Sequence, residues 1–358
     1  MKLENKFVIL TSFYNCEDYV ATCIDGTLNQ TYTDLGVIFI NDASEDSSED
    51  VLFAKITGLT ETSANFFSGQ QNGKDIFYIR NQERVQSPAV NQKNAVDNYI
   101  KDTGTICGIV DGDDHLHSPK AVSYVMENMQ PQHLMYQSTQ KFAYADGGAK
   151  CYRISNKPRG PEHFNQPIVI DGVTYTTNMR VPELREQGWH MNHFRAFRKI
   201  LSDNVNTGRS FYNPTGELIK PGNDVAYFMP MQDMAGADRV VTTEACHYSY
   251  NWDIPHNDHY IYKDKQAREA EYVTRALSGV KYAKGTGELD SILDWANDAT
   301  GMRKIYEGQG KYFYFTGTEQ FVSGVREDGK TGYLMFYETS RYPDGSTGCS
   351  TPYDRLEI

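Results

Sequence analysis

The sequence predicts an α/β protein built on a parallel sheet with helical crossovers. Three observations carry that expectation. Four short apolar runs of strand length stand near the start of the chain, Lys6–Leu10, Gly36–Ile40, Asp75–Ile79 and Thr105–Val110. The segments between them carry apolar residues at helical spacing, so strand and helix alternate, as parallel strands joined by crossovers require. The fourth run ends in Asp111-Gly112-Asp113-Asp114, and ligands bind at this carboxyl edge in an open α/β sheet.

The first run turns through Thr11-Ser12-Phe13-Tyr14-Asn15 into a helix over Glu17–Gln30, where Tyr19, Val20, Cys23, Ile24 and Leu28 share a face. The second run ends in Asn41-Asp42-Ala43-Ser44-Glu45-Asp46-Ser47-Ser48, rich in helix-capping residues, and a helix is expected over Glu49–Ile56. Leu59–Lys74 is polar and reads as an inserted loop. After the third run, Ser87-Pro88 opens a helix whose apolar side is Ala89, Val90, Ala95, Val96, Tyr99 and Ile100. Beyond Asp114 the pattern gives a helix over Pro119–Met129 and a strand over His133–Thr139. Ala145–Thr177 is dominated by Gly, Pro and polar residues and reads as a flexible loop region. The stretches Gly222–Gly236 and Val240–Asn251 follow. Asn257–Leu277 is helical and charged in composition, and Gly285–Gly310 suggests one more helix around Leu289, Ile292, Leu293 and Trp295. The last segment, Lys311–Ile358, reads as a small β-rich extension. Its runs are Tyr312–Phe315, Phe321–Val325 and Tyr333–Tyr337, and Asp328-Gly329 is a turn signal. Structural cover and acceptor binding both remain open for it.

With 358 residues the chain can bury one large core or two smaller ones. The formal net charge of −12 argues against a broad basic footprint for nucleic acid. No apolar run reaches the roughly 20 residues needed to span a bilayer. Met1–Lys6 leads straight toward a strand without a signal-peptide core, so a cytoplasmic location is expected. The six cysteines are scattered, and Cys23 and Cys107 sit inside apolar patterns; buried free thiols in a reducing compartment follow.

Three carboxylates at the end of a buried strand concentrate negative charge, which is costly unless a cation sits there. Carboxylates two apart suit a hard divalent ion that shares its shell with phosphate oxygens. The same string also fits a solvated turn that caps the next helix.

Four motifs then carry a resemblance. They are Ile9-Leu10-Thr11-Ser12-Phe13-Tyr14-Asn15-Cys16-Glu17, Cys23-Ile24-Asp25-Gly26-Thr27-Leu28-Asn29-Gln30-Thr31-Tyr32, Ile40-Asn41-Asp42-Ala43-Ser44-Glu45-Asp46 and Asp111-Gly112-Asp113-Asp114. In this order they resemble the nucleotide-sugar-binding half of a GT-A fold glycosyltransferase of family 2. The order also resembles that family further on, through Gly222-Asn223-Asp224, Gly236 and the aromatic-rich Cys246-His247-Tyr248-Ser249-Tyr250-Asn251. The chain departs from the family at Ser12, where Pro is usual, at Asn41, where Asp is usual, and at Ala43, where Gly is usual. The implied fold is a Rossmann-like mixed sheet flanked by helices over residues 1–255. Its donor half would be 1–118 and its acceptor half 119–255, followed by a helical segment over 256–310 and the β-rich extension over 311–358.

The resemblance implies a metal-dependent, inverting transfer of a sugar from a nucleotide diphosphate sugar, with uridine diphosphate as the expected carrier and Mn2+ or Mg2+ as the ion. By motif position Asp113 is the main metal ligand and Asp111 a metal or ribose contact. Asp114 either binds metal or holds the loop, and the loop is favoured. Asp224 matches the position of the family's base, with Asp233 as the rival; Asp224 could equally be an ordinary N-cap. Asp42 would accept a hydrogen bond from the nucleotide base, or cap the following helix. Ser12 lies in the donor-binding motif, and Tyr14 could stack near the base or pack in the core. His247 is a candidate third metal ligand, though a lone His is often structural. Trp189, His190 and His193 could face the acceptor, and Arg195 and Arg198 could reach phosphate.

A nucleotidyltransferase on a related fold is disfavoured, because Thr11–Glu17 lacks the Gly and basic residues such a loop carries. A non-catalytic sugar- or nucleotide-binding scaffold is the remaining alternative. The acceptor could be a glycan, a protein or a hydroxymethylated DNA base.

Overall fold

The computed structural model describes residues 1–131, 133–143, 149–152, 168–170, 173–175, 191–205, 207–212, 216–235, 239–252, 254, 261, 319–325 and 331–337. Its first part runs β1 (Phe7–Phe13), α1 (Val20–Leu28), β2 (Leu35–Asn41), α2 (Ser48–Lys55), β3 (Thr60–Ser63), β4 (Phe66–Gln71), β5 (Lys74–Arg80), α3 (Pro88–Tyr99), β6 (Ile106–Ile109), β7 (His115–Leu116) and α4 (Ala121–Asn128). Then come β8 (Met135–Ala143), β9 (Ala149–Tyr152), β10 (Ile168–Ile170), β11 (Val173–Tyr175), β12 (Arg195–Arg198), α5 (Lys199–Asp203), α6 (Thr207–Ser210), α7 (Asn223–Ala235) and β13 (Val240–Asn251). A separate antiparallel pair, β14 (Glu319–Val325) and β15 (Thr331–Tyr337), matches two of the three β-like runs expected in the C-terminal extension. The third, Tyr312–Phe315, lies outside the described residues, as do the helices expected around 257–277 and 289–295, apart from Ile261.

The central sheet has the order β3-β4-β5-β2-β1-β6-β12-β8-β13-β7, with β9 joined to β8. Its β5-β2-β1-β6 core is parallel throughout. β12 then enters antiparallel between β6 and β8, which makes the sheet mixed. Every residue of β1 and β2 is buried, as strands covered on both faces require. Alternate residues feed two cores. Val8, Leu10, Ile38, Ile40, Cys107 and Ile109 pack with α3 and α7, whereas Phe7, Ile9, Val37 and Phe39 pack with α1, α2 and α4. The result is the helix–sheet–helix sandwich of the α/β class.

The segment expected as a loop over 59–74 is a β-meander instead. Phe66 and Phe67 are buried on the sheet, and β4 pairs antiparallel with β5. The turn between them is Asn72-Gly73, with φ of +53° and +71°. Asn-Gly is the residue pair that a two-residue hairpin turn demands, so its signal was present within an otherwise polar stretch.

The second motif earns its place through Gln30. Its side chain is buried and donates to the carbonyls of Gly26 and Ser118, both at 2.8 Å. It also accepts from the Val122 N–H at 3.1 Å. One side chain thus closes the end of α1 and satisfies a free donor in the first turn of α4, which follows the acidic loop. Gln30→Ala leaves three buried backbone groups without this partner, and urea denaturation is expected to show a loss of about 2–4 kcal/mol.

Candidate active site

The acidic loop follows β6 and is pinned to β1. Val110 N–H donates to Leu10 O at 3.1 Å, and Gly112 N–H donates to Ser12 O at 3.2 Å. A Cβ at Gly112 would lie 2.3 Å from Phe13 Cβ, so only glycine permits this approach. Asp114 is buried and holds the loop, as the sequence favoured. One of its oxygens accepts from Tyr248 OH at 2.8 Å, and the other accepts from Asn251 N–H at 2.7 Å. The Tyr248 hydroxyl in turn accepts from Asp111 N–H at 3.1 Å. Asn251 Nδ2 donates to the carbonyl of Asp113. The end of β13 therefore shapes the acidic loop from the far side of the sheet.

Asp111, Asp114 and His193 bring ligand atoms within 4.8 Å of one another. His193 Nδ1 is 3.8 Å from an Asp111 oxygen. Burial lifts the Asp111 carboxyl above its usual range; Arg195 opposes that rise and the charge of Asp224 adds to it. Burial, with the charges of Asp113 and Asp111, lifts Asp114 well above the usual range. Burial and then Arg195 push His193 well below the usual imidazole value, so it is neutral. Crowded carboxylates that resist ionisation are relieved by a cation. Carboxylate oxygens beside a neutral imidazole suit a divalent ion of the Mn2+ or Mg2+ type, so the donor set fits the ion that the resemblance implies.

Asp224 stands in the first turn of α7, after Gly222, whose φ is +77°. Its carboxylate accepts from Val225 N–H at 2.8 Å and from Arg195 at 3.1 Å. Arg195 is buried on β12, and its other terminal nitrogen donates to the His193 ring. Its guanidinium carbon lies 4.9 Å from the Phe228 ring centre.

On the donor side, Asp42 is buried. One oxygen accepts from Asn81 Nδ2 and Val85 N–H and the other from Gln86 N–H, each at 2.9 Å. Its carboxylate thus organises the 81–86 loop and does not cap α2. The Ser44 N–H is taken by Asn41 at 2.8 Å instead. Ser12 accepts from Asn91 Nδ2 at 3.3 Å, and Asn91 accepts from Asn81 at 2.9 Å, so Ser12 and Asp42 belong to one polar network. Tyr14 is half-buried, and the Arg84 guanidinium lies 3.4 Å from its ring centre. Sequence reasoning passed over Arg84, Tyr248 and Asn251. For Tyr248 and Asn251 the signal was the aromatic-rich end of β13; for Arg84 the sequence carried none.

Other candidates stand apart. His247 was expected beside the metal, but it falls at a register shift in the pairing of β13 with β8, between Cys246 and Tyr248. Tyr248 reaches the acids, while His247 packs its ring 4.9 Å from that of Tyr124. His193 is the imidazole beside Asp111. Arg198 does not reach a phosphate position. It lies opposite Ile106, at the other end of β6 from Asp111, and donates to the carbonyls of His133, Gly104 and Gln130. Asp233 lies toward the end of α7, away from its first turn. Trp189 and His190 lie outside the described residues. No described helix is long and apolar enough to cross a membrane.

Residues 8–182 match the family described as Glycosyl transferase family 2. Among curated proteins, an uncharacterised glycosyltransferase, EpsJ, of Bacillus subtilis is 25% identical over 168 residues, which is 44% of this chain and 42% of that protein. The glycosyltransferase GlyA of Streptococcus pneumoniae is 31% identical over 51 residues, 14% of this chain and 7% of that protein. The matched stretches thus span less than half the length of either curated relative. Among solved structures, TarS 1-349 of S. aureus in complex with UDP aligns over 96% of this chain and 99% of that one, at 13% identity and a TM-score of 0.43.

Two stability measurements test this geometry. Tyr248→Phe removes the donor to Asp114 and the acceptor for Asp111 N–H, and should lower unfolding free energy by about 1–3 kcal/mol in urea. Ala43 holds a φ of +60°, so Ala43→Gly should raise stability by about 1 kcal/mol in the same assay by relieving a left-handed backbone that disfavours a Cβ.

Proposed function

We propose, from the premise that residues 8–182 belong to glycosyl transferase family 2 and carry its GT-A fold, that the protein transfers a sugar from a nucleotide diphosphate sugar to an acceptor hydroxyl with inversion. The carrying observation is the pairing of two carboxylate sites at one sheet edge. The Asp111–Asp114 loop and the Arg195-bound Asp224 are close enough that the charge of Asp224 raises the Asp111 carboxyl.

In this reading Asp111 and Asp113 would hold a divalent ion, Mn2+ or Mg2+, with His193 beside Asp111. When bound, the ion supplies Lewis-acid neutralisation of the leaving diphosphate. Ser12, Tyr14 and Asp42 form the donor pocket, with a uridine nucleotide as the expected carrier. Asp224 takes the proton of the acceptor hydroxyl as its oxygen bonds to the anomeric carbon. The bond from that carbon to the diphosphate breaks on the opposite face, and the nucleoside diphosphate leaves with the bonding pair. Single displacement by one base gives inversion. The acceptor is an alcohol of a glycan, a protein or a hydroxymethylated base, and the site is expected to work in the cytoplasm. The alternative, a nucleotide- or sugar-binding scaffold without turnover, retains the same pocket.

Nucleoside diphosphate release from a panel of nucleotide sugars, with manganese and candidate acceptors, separates the two. The transferase reading expects release from one donor, abolished by chelator and by Asp113→Asn. Asp224→Asn should lower kcat by about 10²- to 10⁴-fold. Donor binding by calorimetry without turnover in any acceptor mixture supports the scaffold, and absence of both sinks either reading.

A further inference from the structure

Arg195 has no place in the chemistry above, yet with Asp114 it is one of the two most deeply buried ionisable side chains at the site. Its residue is 3% exposed, whereas the Asp224 side chain is 38% exposed. Burying a guanidinium is costly unless it is paired, and both terminal nitrogens of Arg195 have partners. One arm of this fork donates to Asp224 at 3.1 Å, and the other donates to the ring of His193, whose Nδ1 lies 3.8 Å from Asp111. The stem is fixed because Arg195 sits in β12, opposite Ile109 on one side and Gln137 on the other. Phe228, one helical turn beyond Asp224 on α7, carries the guanidinium on its ring face.

We propose that Arg195 is the positioning residue for Asp224, fixing the rotamer of the base and tying it to the imidazole beside the acidic loop. The inference rests on the glycosyltransferase reading of the same site. Two of the roughly four lone-pair sites of the carboxylate are taken, by Arg195 and by Val225 N–H. The remaining sites lie on its exposed part, where an acceptor hydroxyl can approach. An Asp in the first turn of a helix has little else to restrain it, and a misplacement of about 1 Å at a reacting group costs on the order of 10²-fold in rate. Lysine cannot replace this device, because a point charge cannot serve two partners with the planar fork of arginine.

The test is a kinetic cycle on the full chain with Arg195→Met, Arg195→Lys and Asp224→Asn, using the donor that wild type turns over. Thermal melts accompany it to show that each variant is folded. Arg195→Met is expected to lower kcat about 10²-fold while leaving donor KM within about threefold, and Arg195→Lys to recover only part of that loss. The double variant Arg195→Met/Asp224→Asn should be no slower than Asp224→Asn alone, because Arg195 acts through Asp224. Multiplicative losses in the double variant, an unchanged kcat in Arg195→Met, or a loss confined to donor KM would each overturn the inference. The last would make Arg195 a phosphate contact. Wild type that turns over no donor overturns the transferase reading and this role with it. An active wild type with multiplicative losses overturns the positioning role alone.

Discussion

The constraint on which the rest depends is the crowding of three carboxylates, one of them fully buried, at the end of one short strand. Asp111 and Asp114 are both pushed toward protonation by burial and by their acidic neighbours. The protein meets this strain in two different ways. Asp114 is given full hydrogen-bonding, from Tyr248 OH and Asn251 N–H, which holds the loop even though it clusters with Asp111 and His193. Asp111 keeps its side chain beside His193 and is balanced from a distance by Arg195. A row of similar residues in sequence thus separates into an acid held by hydrogen bonds and one whose side chain stays partly exposed, decided by what each oxygen can reach.

That separation requires two late strands to come back to an early one. β13 delivers Tyr248 and Asn251 because it pairs with β7, immediately after the acidic loop. β12 delivers Arg195 because it runs antiparallel to β6, which sets Arg195 opposite Ile109 at the acidic end and sends Arg198 to the far end. Two arginines three residues apart therefore do unrelated work. Arg198 ties three backbone carbonyls together at the bottom of the sheet, while Arg195 joins the helix that bears Asp224 to the loop that bears Asp111. Strand direction, invisible in residue spacing, decides which of them is near the chemistry.

The legible part of the sequence was the part written in local signals. Alternating strands and helices and the placement of the acidic string at a strand end follow from periodicity and capping, while the helix start at Asp224 followed from the family resemblance. The 59–74 segment was misread because its polar composition masked an Asn72-Gly73 hairpin whose first strand, β4, buries only Phe66 and Phe67. The choice of imidazole was illegible for a different reason. His247 and Tyr248 differ by one position, and a register irregularity between Cys246 and Tyr248 leaves one against Tyr124 and the other against Asp114. Without the register of β13 against β7, the sequence offers no means of telling which faces the acids. His193 comes from a segment with no periodic signal, and only the pairing of the following β12 brings it to Asp111.

The donor and base sides of the cleft are also joined away from the reacting groups. Asp42 fixes the backbone of Val85 and Gln86, and Gln86 carries a φ of +60° there. The side chain of Gln86 accepts from Lys220 Nζ. The carbonyl of Lys220 accepts from Asn223 at 2.6 Å, and Asn223 accepts from Ala89 N–H at 2.9 Å, satisfying a free donor in the first turn of α3. The residue before Asp224 is therefore committed to the helix that follows the donor loop, while Asp224 itself is committed to Arg195. Neighbouring side chains at one helix start face opposite partners, so the position of Asp224 depends on the 81–86 loop and the acidic loop together. An acid that served only as a helix cap would need neither attachment, and this double restraint is the physical argument for reading Asp224 as part of the site.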